Sequence, residues 1–260
     1  MFNKSGLLNR TLIDWLLRVL MFFATVTLGG LTMAHEGENN YLGDPGMVRK
    51  VYDYLQQDQV DSATAYLKNL GDDNQVVQAW INVQCDINNV MKDASASARI
   101  GLAGADYCLE KGYKLPAAMI LHNVSAFFMP DFDENVDSAH IPVILDAARR
   151  QVPLRRDIGQ PGPLTWSLWD LGLAELVSDN GDAAIKALEE GEKIALENND
   201  RDAAAWCRLF IGKTKVKLIP DKKTEGEQEM LEVAEVIDEV GQDWEKEAVG
   251  NMIKALNLNK

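Results

Sequence analysis

Residues 181–200, "GDAAIKALEEGEKIALENND", decide the fold, because their apolar and small side chains recur at helical spacing. Ala184, Ala187, Leu188, Gly191, Ile194 and Ala195 stand at i, i+3, i+4, i+7, i+10 and i+11, one face of an α-helix. The opposite side carries Lys186, Glu189, Glu190, Lys193 and Glu197, and Glu189 with Lys193 is an i, i+4 pair in the favoured order. A seam made mostly of Ala and Gly lets a second helix axis approach to the near end of the usual ~8–10 Å. This helix therefore needs helical neighbours. Gly181 and Asp182 break and cap its start, while "NND" ends it and caps the next one.

Both neighbours are visible in the chain. Upstream, "PLTWSLWDLGLAELV" is apolar almost all round and belongs between layers. Downstream, "AAAWCRLFIGKTKVKLIP" is stopped by Pro220. Trp166, Trp169 and Gly172 recur as Trp206, Leu209 and Gly212, each shifted by 40; Ala187, Leu188, Gly191 and Ile194 recur as Met230, Leu231, Ala234 and Ile237, each shifted by 43. The three additional residues fit the loop around "IPDKKT". A period of about 40 residues with two helices per unit is a solenoid signature.

Extended along the chain, the same spacing predicts helices near 46–58, 61–70, 74–91, 96–112, 116–128, 138–151, 164–178, 182–198, 202–219, 225–240 and 242–257. Short connections make consecutive helices antiparallel, so the expected fold is all-α, built of stacked antiparallel helical hairpins. In the last two helices Met230, Val233, Ile237, Val240, Trp244, Ala248 and Met252 line one face and acids cover the rest, the pattern of an end cap. The stretch "QVPLRRDIGQPGPLTW" is the richest in Pro and Gly in the body and is expected to be a loop, with a sub-boundary near 151–163.

"WSLWDLGLAEL", "NGDAAIKAL" and "AWCRLFIG" together resemble the tetratricopeptide superfamily, including its SEL-like bacterial variants. "CLEKGYKLPAAMILHN" is similar to the end of one such repeat and the start of the next, and the good matches span roughly residues 100–240. Glu175 stands where the family pattern has Tyr, and no Pro closes the repeat after Leu196. The resemblance implies an α-solenoid with a concave face for a protein or peptide partner, and by analogy an adaptor or assembly role.

The N-terminus has another character. Lys4, Arg10 and Arg18 precede the uncharged run Val19–Leu31, and Thr32 and Ala34 are small residues at the positions a signal peptidase reads. Thirteen apolar residues are short for a spanning helix. Residues 1–34 are expected to be a secretory signal cleaved between Ala34 and His35, or else an uncleaved membrane anchor; a buried hydrophobic helix is the third reading. The polar linker 35–45 and the helical body 46–260 follow. In the first two readings the body is exported, periplasmic or secreted, or anchored outside the cytoplasm.

From His35 onward the chain carries 23 basic and 39 acidic side chains, a formal charge of −16. Such a surface disfavours nucleic acid and repels anionic lipid, so membrane association is expected only through the N-terminal segment. Nucleophile elbows, phosphate loops, H-E-x-x-H and dinucleotide fingerprints do not occur, and no enzyme, cofactor or metal is expected.

Several residues carry narrower expectations. Cys85, Cys108 and Cys207 lack C-x-x-C spacing; Cys85 with Cys108 is the pair that an oxidising compartment could bridge, against the alternative of buried small hydrophobes. Asp131, Asp133, Asn135 and Asp137 alternate like the start of a calcium loop, but Val136 and Pro142 stand where the loop needs Gly and Glu. His35 as a new N-terminus could chelate copper only with His122 or His140, neither at metal-motif spacing. Arg155 and Arg156 could receive a partner's carboxylate or phosphate, or pair with the protein's own acids. Among Trp80, Trp166, Trp169 and Trp206, core packing is the default, and Trp169 is the one expected to show at the surface. Two alternatives to the interaction module remain open: a small-ligand or enzymatic domain using the Arg155, Arg156 loop, and a homo-oligomeric structural component of the envelope.

Overall fold

The structure, a computed structural model, describes residues 41–129 and 136–258. The expectations for residues 1–34, the Ala34–His35 junction, most of the linker, and Asp131, Asp133 and Asn135 lie outside these residues. Among those described there are eleven α-helices: α1 Pro45–Gln56, α2 Val60–Lys68, α3 Asp73–Asn89, α4 Ala94–Glu110, α5 Lys114–Ala126, α6 Ile141–Ile158, α7 Pro161–Val177, α8 Gly181–Glu197, α9 Arg201–Leu218, α10 Lys223–Val240 and α11 Asp243–Ala255. The only other regular element described is a 3-10 turn, Pro220–Lys222. The fold is all-α.

Local chemistry sets these boundaries. Asp44, Asp93 and Asp200 cap α1, α4 and α9 by accepting from the backbone N–H three residues on, and Asp72 with Gln75 forms a reciprocal capping box on α3. Several hairpins turn in the same way. One residue adopts the left-handed conformation, Asp58, Gly112, Asp179 or Asn199, and the next N–H donates back to the carbonyl five residues earlier. Examples are Asn180 to Glu175 at 2.9 Å and Asp200 to Ala195 at 2.9 Å. This closing motif satisfies carbonyls that a helix end leaves bare.

Consecutive helices pack against each other from α1 to α11. A second set of contacts joins α1 to α3, α3 to α5, α5 to α7 and α7 to α9, so the odd-numbered helices form a continuous row. The seam of α8 lies between α7 and α9. A Cβ added at Gly191 would stand 3.0 Å from Cys207 Sγ of α9 and 3.4 Å from Leu168 Cβ of α7, so the glycine is where three helices meet. The two repeated glycines behave alike: Gly172 abuts Leu188 of α8, and Gly212 abuts Gly226 and Met230 of α10.

At the C-terminal end, Met230, Val233 and Ile237 of α10 are buried as the pattern predicts. In α11 the fully buried stripe is shifted by one position, to Glu245, Val249 and Ile253, leaving Trp244, Ala248 and Met252 only partly covered.

The expected loop at 151–163 is largely helix. α6 runs through Pro153 to Ile158, ends on the left-handed Gly159, and α7 begins at Pro161. Proline normally breaks a helix interior. Here Ile144, Ala148, Gln151, Val152 and Arg155 form a buried seam that spans the proline, and tertiary burial outweighs the local penalty.

Candidate functional site

The two arginines expected to serve a partner lie on the last turns of α6, and the structure separates their roles. Arg155 is 8% exposed, and its Nε has no hydrogen-bond partner. Burial lowers its pKa to about 10. It follows Ile144, Ala148 and Gln151 on the inward seam, so it faces protein rather than a partner. Arg156 points outward, and its Nη2 donates to both carboxylate oxygens of Glu190 on α8, each at 2.8 Å. That is the reading in which the arginine pairs with the protein's own acids.

The surface tryptophan is also a different one. Trp169 is 7% exposed, whereas Trp166 is 37% exposed. The reason is the turn of α7: Leu168, Trp169, Gly172, Leu173 and Leu176 face inward, and Trp166 falls outside that stripe. Trp169 meets Phe210 edge-on at 5.2 Å between ring centroids and Trp206 at 6.5 Å. Trp166 rests edge-on against Trp169 at 5.9 Å, an exposed ring on a rigid aromatic base.

Two acids inside the apolar helix α7 are functional candidates that periodicity passes over. Asp170 is buried; its Oδ2 accepts from the Ser125 hydroxyl of α5 and from Gln151 Nε2 of α6, with His122 Nδ1 at 3.7 Å. Ser167 in turn donates to Gln151 Oε1 at 3.1 Å. Ser, His and Asp are thus brought together, but the Ser125 hydroxyl bonds the carboxylate directly, whereas a nucleophilic serine needs a base that the carboxylate orients. The arrangement ties three helices together. Glu175, also buried, receives a two-pronged bond from Arg149 Nε and Nη2 at 2.9 and 3.1 Å, and a third from Asn180 Nδ2 at 2.9 Å. The sequence signal for both was an acid where the seam calls for an apolar residue.

A similar junction binds α3, α4 and α5. Gln84, fully buried, donates to the Ile120 carbonyl at 3.0 Å and accepts from Asn123 at 3.2 Å, while the Ser97 hydroxyl donates to its backbone carbonyl at 2.9 Å. Asn123 also reaches Cys85 Sγ at 3.5 Å.

The Cys85–Cys108 bridge is not formed; all three cysteines are free and buried. Its absence follows from antiparallel register. Gly101 abuts Gln84 and Gly104 abuts Trp80, which sets Cys108 level with about residue 76, roughly nine residues from Cys85. At 1.5 Å per residue that is about 13 Å along the axis, beyond the ~4.4–6.8 Å between Cα atoms that a disulfide spans. Burial pushes each thiol up to about 12, so none is a ready thiolate nucleophile.

Among the described residues no group of three or more His, Cys, Asp or Glu side chains is placed to hold a metal, and no helix is long and apolar enough to cross a membrane. His140 stacks on Phe128 at 4.5 Å and has Ser95 Oγ 3.1 Å from its Nε2, whereas His122 lies beside Asp170. The two histidines therefore sit in separate settings. Two grooves lie among the described residues: one of about 280 Å³ between α10 and α11, and a more open one of about 610 Å³ lined by Leu42, Met47 and Leu70 with Gln75, Gln78 and Ala79 of α3. Compared with known proteins, the chain matches no family model and no curated protein.

Proposed function

We propose that the chain is an exported, non-enzymatic helical-repeat protein, an α-solenoid of tetratricopeptide-like hairpins that presents its surface to a protein or peptide partner in the cell envelope. One observation carries the solenoid reading. Hydrogen bonds between alternate helices span about one repeat length: 34 residues for Arg156 with Glu190, 39 for Gln84 with Asn123, 45 for Ser125 with Asp170, 44 for Arg150 with Asp106, and 39 for Trp206 with Glu245. A chain that docks each hairpin on the preceding one at a similar offset builds an extended surface rather than a closed cavity. Export rests on the charged-then-apolar pattern of residues 1–34, and the surplus of acid supports a protein partner over nucleic acid.

Trp166 is the residue we assign to the partner surface. An amphipathic ring held by a second ring loses little conformational freedom on binding, which is why tryptophan recurs at the centres of interfaces. The test is in-situ cross-linking of the tagged full chain with a photo-reactive group at Trp166, followed by mass spectrometry. A recurrent heterologous partner supports the reading. Links only between copies of this chain would replace it with a self-associating envelope component, and retention of the protein in the cytoplasmic fraction would remove export.

A further inference from the structure

The terminal helix α11 is attached through an unusual junction. Its first-turn Glu245 is only 3% exposed, one of the few acids of the chain that are buried, with Asp86, Asp170 and Glu175. Both of its carboxylate oxygens are filled by N–H donors: Trp206 Nε1 of α9 donates to Oε1 at 2.7 Å, and the Gln242 N–H donates to Oε2 at 2.7 Å. A second carboxyl group, Asp202, stands one helical turn before Trp206 on the same side of α9, the side that Trp206 turns to Glu245, and its charge is felt there. Asp202 Oδ1 is buried, and no donor reaches it.

Two carboxylates cannot hydrogen-bond to one another unless one carries a proton. Glu245 already has a donor on each oxygen, so the proton belongs on Asp202, where it fills the gap left at the carboxyl group. The charges acting on Asp202 are Glu245 of α11 and Asp200 of the turn before α9, both negative. Where the chain leaves α10, the residue beside the Glu245 carboxylate is the uncharged Gly241. The remaining hold on α11 is apolar: Trp244 stacks on Trp206 at 5.8 Å, and Val249 and Ile253 enter the core.

We propose that Asp202 and Glu245 form a proton-operated clasp: a shared proton holds α11 on the end of the stack, and loss of that proton favours release of α11. Release would uncover Trp206 and the part of α10 around Ala234 that faces α11.

The direction follows from proton linkage. Burial first, and Glu245 second, raise the Asp202 pKa from its ordinary 3.8 to about 7 while α11 is docked. The docked form therefore binds the proton more tightly than the released form. Docking is strongest in acid, weakens as pH rises from about 4 to about 7, and changes no further above that. Each unit of difference between docked and released pKa changes the opening equilibrium about tenfold, and partial exposure of Asp202 reduces the full span.

The experiment is hydrogen exchange of the full chain between pH 5 and 8, corrected for intrinsic exchange, with α7 and α8 as internal references. The expected result is an opening constant for residues 243–255 that rises by about tenfold or more from pH 5 to pH 7.5 and then levels, with α7 and α8 unmoved. In Asp202→Asn, whose amide can donate to Glu245 without ionising, the profile should be flat and low. If that variant does not fold, Glu245→Gln serves in its place, with a flat profile again expected. A carbon-13 titration of the Asp202 carboxyl in the unmodified chain reads the same proton directly. A pH-independent α11 in the unmodified chain, an unchanged slope in the variant, or an Asp202 that titrates near 4 would overturn the clasp.

Discussion

Gly172 of α7 lies so close to Leu188 of α8 that a Cβ on the glycine would stand 2.7 Å from Leu188 Cδ2 and nearer still to Cγ. Leu188 is fully buried and surrounded by core, so it has no room to retreat. Gly172→Ala is expected to cost about 1–3 kcal/mol, the usual penalty for overpacking. Gly250→Ala is the control: it too lies within a helix, but nothing stands within 4 Å of its added Cβ, so it should gain about 0.5–1 kcal/mol. Urea unfolding of both variants separates the two cases by sign.

The Glu175–Arg149 junction makes a different kind of prediction. Glu175 is 4% exposed and takes three donors, two of them from Arg149. Arg149→Met leaves a buried carboxylate with Asn180 alone and should cost about 1–3 kcal/mol. Adding Glu175→Gln to that variant should recover part of the loss, because a neutral amide tolerates the site better than an unpaired charge. A double-mutant cycle by denaturant unfolding checks the pair. Additive losses would show that the two side chains do not act together.

How much of this the chain discloses depends on the range of the interaction. Helix number and order were legible, because the seam of α8 and the spacing of Trp166 and Trp206 are local patterns. α6 was misjudged at Pro153, where a local breaking rule lost to a seam whose partners lie tens of residues away. Trp169 was placed at the surface and Arg155 in a loop for the same reason. Which side of α7 faces inward depends on Phe210 and Trp206, and the burial of Arg155 depends on a helix expected to have ended at 151. Asp170 and Glu175 went unread within a helix taken as apolar almost all round; their donors, Ser125, Gln151 and Arg149, come from two other helices.

The thiols give a direct check on register. With Cys85, Cys108 and Cys207 buried, free and raised to about 12, the folded chain should resist alkylation at pH 8, and unfolding in guanidinium should expose three reactive thiols. Mass spectrometry after labelling counts them. A bridge between Cys85 and Cys108 would leave one, and would require α3 and α4 to slide by more than two helical turns from the register that Gly101 and Gly104 define.

Trp166 and Trp169, three residues apart on one helix, should respond to truncation in opposite ways. Trp169→Ala removes a ring packed against Trp206 and Phe210 and should cost about 3–5 kcal/mol of stability. Trp166→Ala removes a ring 37% exposed, with one edge on Trp169, and should cost no more than about 1 kcal/mol. If Trp166 is the anchor of the partner surface, the same substitution should weaken capture of the cross-linked partner at least about tenfold, the loss of about 1.4 kcal/mol or more that marks an interface anchor. Thermal unfolding and quantitative pull-down on the same two variants keep the effects apart. Binding lost with stability retained at Trp166 identifies a contact; binding retained there, with the fold intact, moves the partner surface away from α7.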